Sequence, residues 1–168
     1  MIILKQITPR EIERNSFAMI GDDWLLITAE KDTKVNTMTA SWGGLGVFCG
    51  KDVAFTFIRP QRYTKEFVDT SDTFSLSVLP EEYRQQLGYL GKVSGRDEDK
   101  IEKSGLTVSY DGNTPYFAEA DTVIICKKMC ATDLHETDFI QKEICDKWFA
   151  ANDYHTLYIS EILKVLKK

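Results

Sequence analysis

Residues 73–79 read Thr73-Phe74-Ser75-Leu76-Ser77-Val78-Leu79. Phe74, Leu76 and Val78 alternate with Ser75 and Ser77, and a period of two is the repeat of a β-strand with one buried face. Residues 53–59 (VAFTFIR) are apolar and rich in aromatic and β-branched side chains; 24–30 (WLLITAE), 122–126 (TVIIC) and 156–162 (TLYISEI) share that character. Helix signals are fewer. Pro80 suits the first turn of a helix that carries Tyr83, Leu87 and Leu90 on one face, with Gly91 placed to stop it. Thr64 can cap a second helix, in which Glu66 favours the positive end and Phe67 and Val68 form the buried side. A third short helix is predicted from Asp97 to Gly105. Strand and helix do not alternate in a βαβ rhythm, and no internal repeat or low-complexity linker interrupts the chain. The expected fold class is therefore mainly β: a closed or nearly closed antiparallel barrel with peripheral α-helices, with a Rossmann fold disfavoured.

A chain of 168 residues that is 43% hydrophobic can bury one sizeable core, so residues 1–168 are expected to form a single domain. The net charge of −5 is spread over the whole length without a basic stripe, which argues against DNA or RNA as a partner. No apolar run approaches the roughly 20 residues that span a bilayer. The opening MIILKQITPREIER lacks the apolar region of a secretory signal, so a cytoplasmic protein with no membrane association is expected. Cys49, Cys126, Cys130 and Cys145 are too few for a disulfide scaffold and are expected to be reduced thiols. Neither Cys126 with Cys130, nor either with Cys145, His135 or His155, has the tight spacing of a structural zinc site, so no metal is expected.

Several stretches carry residue types suited to a ligand. In Asn36-Thr37-Met38-Thr39-Ala40-Ser41-Trp42-Gly43-Gly44-Leu45-Gly46, glycines allow close approach of backbone to a flat ring, Thr39 and Ser41 offer hydroxyls, and Trp42 can flank the ring. The same stretch also reads as a strand ending in a glycine-rich turn. Arg59-Pro60-Gln61-Arg62-Tyr63-Thr64-Lys65 lies between a strong strand and a helix start, where unpaired amides, guanidinium groups and hydroxyls suit a single phosphomonoester. Its alternative is a solvated turn whose arginines pair with nearby acids. No GxxxxGK[ST] loop for a nucleoside triphosphate is present. Gly91–Lys100 places Ser94, Gly95, Arg96 and Lys100 around another helix start, as part of an anion site or as an exposed charged turn. His155 precedes the last strand and either faces a ligand or is a surface or capped histidine, whereas His135 sits in a polar loop.

Taken in order, these segments resemble the flavin reductase-like family. NTMTASWGG is similar to its flavin-binding strand and turn, RPQRYTKEF to its phosphate corner and FSLSVLP to the strand that follows. GKVSGRDEDKIEKSGLT is similar to its SGR–DK segment, and HTLYISEI to the late strand where a histidine commonly approaches the flavin. The resemblance implies a split β-barrel with peripheral α-helices that binds FMN, usually as a homodimer with the flavin at the subunit interface. Carried over by position, Asn36, Met38, Thr39, Ala40, Ser41 and Trp42 would line the isoalloxazine. Arg59, Arg62, Tyr63 and Thr64 would hold the phosphate, with Ser94 and Lys100 as further candidates and His155 as the catalytic one. The sequence departs from the pattern at Cys49-Gly50-Lys51-Asp52, where many relatives carry a proline pair, and at Ser160, where glycine is common. The implied function is NAD(P)H-dependent reduction of flavin or another small acceptor. The alternative is a non-enzymatic FMN electron carrier resembling flavoredoxin that works with protein partners. No GxGxxG fingerprint is present, so NADH and NADPH are not distinguished. Trp148, Phe149 and Tyr154 either supply part of a dimer interface or cap their own barrel.

Overall fold

The computed structural model describes residues 4–168. Its strands are β1 (Lys5–Ile7), β2 (Leu25–Lys31), β3 (Lys34–Ala40), β4 (Gly43–Phe48), β5 (Lys51–Ile58), β6 (Thr73–Val78), β7 (Val108–Asp111), β8 (Thr114–Phe117), β9 (Thr122–Asp133) and β10 (Thr156–Lys167). Its α-helices are α1 (Tyr63–Thr70), α2 (Arg84–Lys92), α3 (Lys100–Ser104) and α4 (Glu143–Trp148). The main sheet is antiparallel in the order β3-β2-β6-β9-β10-β5-β4, with β1 added to β10.

One connection dictates the shape of that sheet. β3 and β4 form its opposite edges, yet only Ser41 and Trp42 join them. Laid flat, the strands from β3 to β4 would put those edges about 29 Å apart at the usual spacing of about 4.8 Å. The chain from Ala40 to Gly43 reaches at most about 11 Å. The sheet therefore curls until its edges nearly meet, which makes a barrel split between β3 and β4. Register shifts in β10 between Ile159 and Ser160 and between Ile162 and Lys164 mark irregularities where a long strand can bend into that curve.

Side-chain alternation then sorts the core. Ile27 and Ala29 of β2, Met38 and Ala40 of β3, Ala54 and Ile58 of β5, Phe74 and Leu76 of β6 and Tyr158 of β10 pack together inside the barrel. Phe67 and Val68 of α1 join that cluster. A second cluster of Leu26, Val123 and Ile125 packs with Leu87 and Leu90 of α2 and Phe117 of β8. The serines of β6 show why the expected exposed face is absent. Ser75 Oγ donates to the Pro115 carbonyl at 2.6 Å, and Ser77 Oγ accepts from the Phe117 amide at 3.4 Å. The β7–β8 hairpin covers that face, so both sides of β6 are buried. No helix among the described residues is long and apolar enough to cross a membrane.

The helices depart from expectation in detail. Pro80 precedes a short 3₁₀ turn, Glu81–Tyr83, before α2 begins. Gly91 lies inside α2 and does not stop it; a Cβ there would come within 3.1 Å of the Thr39 side chain, so the glycine lets α2 lie close against β3. The third helix is shorter than predicted: Asp99 caps it by accepting from the Glu102 amide, and Gly105 closes it in the left-handed conformation.

Gly43, just past the crossing, has φ of 153°, and a Cβ there would stand 2.6 Å from the Phe55 carbonyl oxygen. Gly43→Ala should therefore destabilise the protein by about 2 kcal/mol, read as a lowered midpoint in urea denaturation. Gly88→Ala in α2, where nothing lies within 4 Å of the added carbon, should have the opposite sign, stabilising by about 0.5–1 kcal/mol.

Candidate functional site

The β3–β4 crossing, the end of β5 and the start of β10 meet at one end of the barrel. They surround a pocket of about 200 Å³ lined by Met38, Thr39, Ala40, Ser41, Trp42, Phe57, Arg59, Arg62 and His155. All of these except Phe57 were singled out in the sequence. Phe57 follows from strand parity: Ala54, Thr56 and Ile58 are buried, so Phe55 and Phe57 point to the other face.

One wall is aromatic. Trp42 lies 5.1 Å from the His155 ring and 5.2 Å, edge to face, from Trp148. His155 also meets Phe57 at 6.3 Å and Phe149 at 5.5 Å. Phe149 is buried and stacks on Tyr154 at 4.9 Å, while Trp148 is 45% exposed and reaches Trp42.

The other wall is cationic, and its charges are held differently. Arg59 Nη1 is ion-paired with Asp153, and Nη2 donates to the Trp148 carbonyl at 3.0 Å. Arg62 Nη1 donates to the Gly91 carbonyl at 2.8 Å. Lys100 is 4% exposed, and its Nζ donates to the carbonyls of Leu90 and Val93, each at 2.8 Å. Arg62 and Lys100 thus cap the carbonyls at the negative end of α2. Neither forms an ion pair among the described residues. Burial, then repulsion from Arg59, pushes the Arg62 pKa down. Burial, then repulsion from Arg62, brings Lys100 down to about 8. A helix terminus carries only about half a charge, so this corner retains positive potential that an anion would relieve. α1 starts beside it, and Arg62 at its N-cap makes no side-chain capping bond, which leaves the amides of the first turn to other acceptors.

The remaining sequence candidates lie beside or beneath the pocket. Asn36 and Thr64 are buried, and Asn36 Nδ2 donates to Thr64 Oγ1 at 2.9 Å, tying β3 to α1. Gly95 is pressed against this pair: a Cβ on it would fall 2.2 Å from Asn36 Oδ1. Thr39 Oγ1 donates to the Leu87 carbonyl at 2.6 Å, so its hydroxyl docks α2. Tyr63 packs on Phe67 at 4.9 Å with Arg96 over its ring at 4.5 Å. Ser94 Oγ accepts from the Arg96 amide at 3.2 Å within the turn before α3. Sequence reasoning missed Asp153 and Gln61, whose Nε2 donates to Asp153 at 2.7 Å. An acid 94 positions away from its arginine leaves no local signal.

His155 is 7% exposed, and burial, followed by repulsion from Arg59, lowers its pKa to about 4, with Asp153 opposing. Its imidazole is neutral at physiological pH, able to accept at one nitrogen and donate at the other. An NMR titration of the flavin-free protein should show no charge change on His155 between pH 8 and about 5.5. The unfolded chain binds this proton at an ordinary 6.5 and the folded one only near 4, so stability falls as pH drops through that window. His155→Gln should flatten that part of the stability profile.

A search of curated proteins returned no match. Among solved structures, the chain is similar to an FMN-binding domain of a flavin reductase-like enzyme from Shewanella baltica, with TM-score 0.72 and 16% identity, covering 99% of this chain and 79% of that one. It is also similar to the flavoredoxin of Desulfovibrio vulgaris (Miyazaki F), with TM-score 0.69 and 21% identity over 96% and 77%. A third likeness is to the Streptomyces globisporus NADH:FAD oxidoreductase, solved with NAD and FAD fragments, with TM-score 0.65 and 14% identity over 87% and 74%. At these identities the structures establish the shared split-barrel fold. The family model described as flavin reductase like domain matches residues 20–166, nearly the whole barrel and every strand of the pocket, and the chain belongs to that family.

Proposed function

We propose that this protein binds FMN noncovalently and acts as an oxidoreductase, using NAD(P)H to reduce flavin or another small acceptor. The observation that carries this reading is half-buried Arg62 in the wall of an aromatic pocket at the split-barrel edge, with buried Lys100 beside it and no carboxylate paired to either among the described residues. A ligand with a flat ring system and one terminal phosphate satisfies both walls. Ser41 and Trp42 would lie along the ring, and Arg62, the α1 amides and Arg59 would take the phosphate. When bound, the flavin supplies the hydride chemistry, and the protein supplies placement and access. His155 contributes a neutral imidazole beside Trp42 and the surrounding rings keep water from the ring face.

A second reading, an FMN electron carrier, is favoured by Trp148. Its contact with Trp42 narrows the space in which a nicotinamide would have to stack. We further propose a homodimer. Among the described residues the β4 edge is unpaired, it exposes Val47 and Phe48, and it continues directly from Trp42 at 39% exposure, so a second copy there would cover both the strand edge and the pocket mouth. With four free thiols, Cys49 and Cys130 among them exposed, the chain suits the reducing cytoplasm.

Purified protein reconstituted with FMN should stay yellow through filtration and sediment as a dimer at micromolar concentration. Arg62→Ala should weaken FMN binding about ten-fold or more, as loss of a charge-assisted contact predicts. Stopped-flow mixing of the holoprotein with NADH and NADPH separates the two readings: turnover with either supports the reductase, and slow reduction by both supports the carrier.

A further inference from the structure

Residues 134–155, which connect β9 to β10, have their own small core. Phe139 lies 5.3 Å from Phe149, Phe149 stacks on Tyr154, and Cys145 is buried. Such a core lets the segment move as one piece. Its ties to the barrel are few and converge on the pocket. The side-chain hydrogen bonds that join residues 135–154 to the rest of the described chain all run to Arg59 or Gln61: Arg59 Nη1 to Asp153, Arg59 Nη2 to the Trp148 carbonyl, and Gln61 Nε2 to Asp153. Ring contacts add Trp148 on Trp42, Phe149 on His155 at 5.5 Å and Arg59 over Phe149 at 5.1 Å.

Both Nη atoms of Arg59 are thus engaged by this segment, although Arg59 also lines the pocket. A guanidinium grips a phosphate through parallel N–H donors. On Arg59, a carboxylate and a carbonyl engage two of the five N–H donors, and the carboxylate offsets the charge that would draw a phosphate. Arg62, a neighbour in the same pocket, carries no carboxylate and attracts an anion to within reach of Arg59.

We infer that residues 135–154 form a strap latched over the pocket by the Arg59–Asp153 pair, and that an anionic ligand opens it by taking Arg59 from Asp153. The inference rests on the proposed phosphate-bearing ligand. Asp153 is then an internal competitor for the phosphate, and its release carries Trp148 away from Trp42. Binding of the anion and uncovering of the ring face become one event. A neutral ligand of the same shape has no such exchange to make.

The test compares wild type with Asp153→Asn, which removes the charge and keeps the size. In flavin-free protein, hydrogen exchange across residues 143–152 should quicken several-fold in the variant; unchanged exchange would overturn the latch. FMN affinity, followed by flavin fluorescence, should rise about three-fold or more in the variant while riboflavin affinity changes less. Weaker FMN binding would make Asp153 a positioning residue that aims Arg59 at the ligand, and would also overturn the proposal. Because the exchange measurement uses no flavin, quicker exchange together with no binding of either flavin would support the latch and refute the FMN reading.

Discussion

The two-residue crossing from β3 to β4 is the constraint on which the rest of the structure depends. Because Ser41 and Trp42 must bridge opposite edges of one sheet, the sheet closes on itself, and the crossing becomes the rim of the barrel. Residues that bridge edges cannot pair in a ladder, so the backbone and the Trp42 ring are left facing outward. The glycines that follow keep β4 slim: Gly43 sits against the Phe55 carbonyl and Gly46 against the Phe55 ring. The pocket is a consequence of closure, made where a sheet edge, a strand end and a helix start are forced to one place.

Electrostatics give that place its polarity. Arg59 and Arg62 line it with Lys100 beside them, and two devices anchor the three cations. Arg59 is anchored by Asp153, Arg62 by the end of α2, and Lys100 by two carbonyls of the same terminus. Anchoring by carbonyls orients a cation without cancelling its charge, whereas a carboxylate cancels it. The corner therefore stays positive. On the opposite wall, burial among Trp42, Phe57 and Phe149 keeps His155 neutral, so one side of the pocket is apolar and the other charged. That polarity matches a molecule with a flat ring at one end and a phosphate at the other.

Much of this was legible in the sequence, because the signals were local. Alternation in residues 73–79 marked β6, and the run from Met38 to Trp42 marked the pocket floor. What was not legible depended on distant partners. Ser75 and Ser77 read as solvent-facing until the β7–β8 hairpin covers them. Asn36 and Thr64 read as ligand donors, and no local signal shows that Asn36 Nδ2 donates to Thr64 Oγ1 across the fold. Gly91 read as a helix stop, but its lack of a side chain serves the approach of α2 to Thr39. The two arginines of the phosphate corner look alike in sequence; only the return of the chain at Asp153 separates a paired Arg59 from an unpaired Arg62.

The central claim is that the closed rim and the cationic corner together select a flat ligand through its phosphate. Titration of flavin-free protein with FMN and with riboflavin, at neutral pH and fixed salt, tests it most directly. The account predicts that FMN binds at least about ten-fold more tightly than riboflavin, a difference of about 1.4 kcal/mol that the phosphate alone supplies. Equal affinity for the two, or binding of neither, would contradict it.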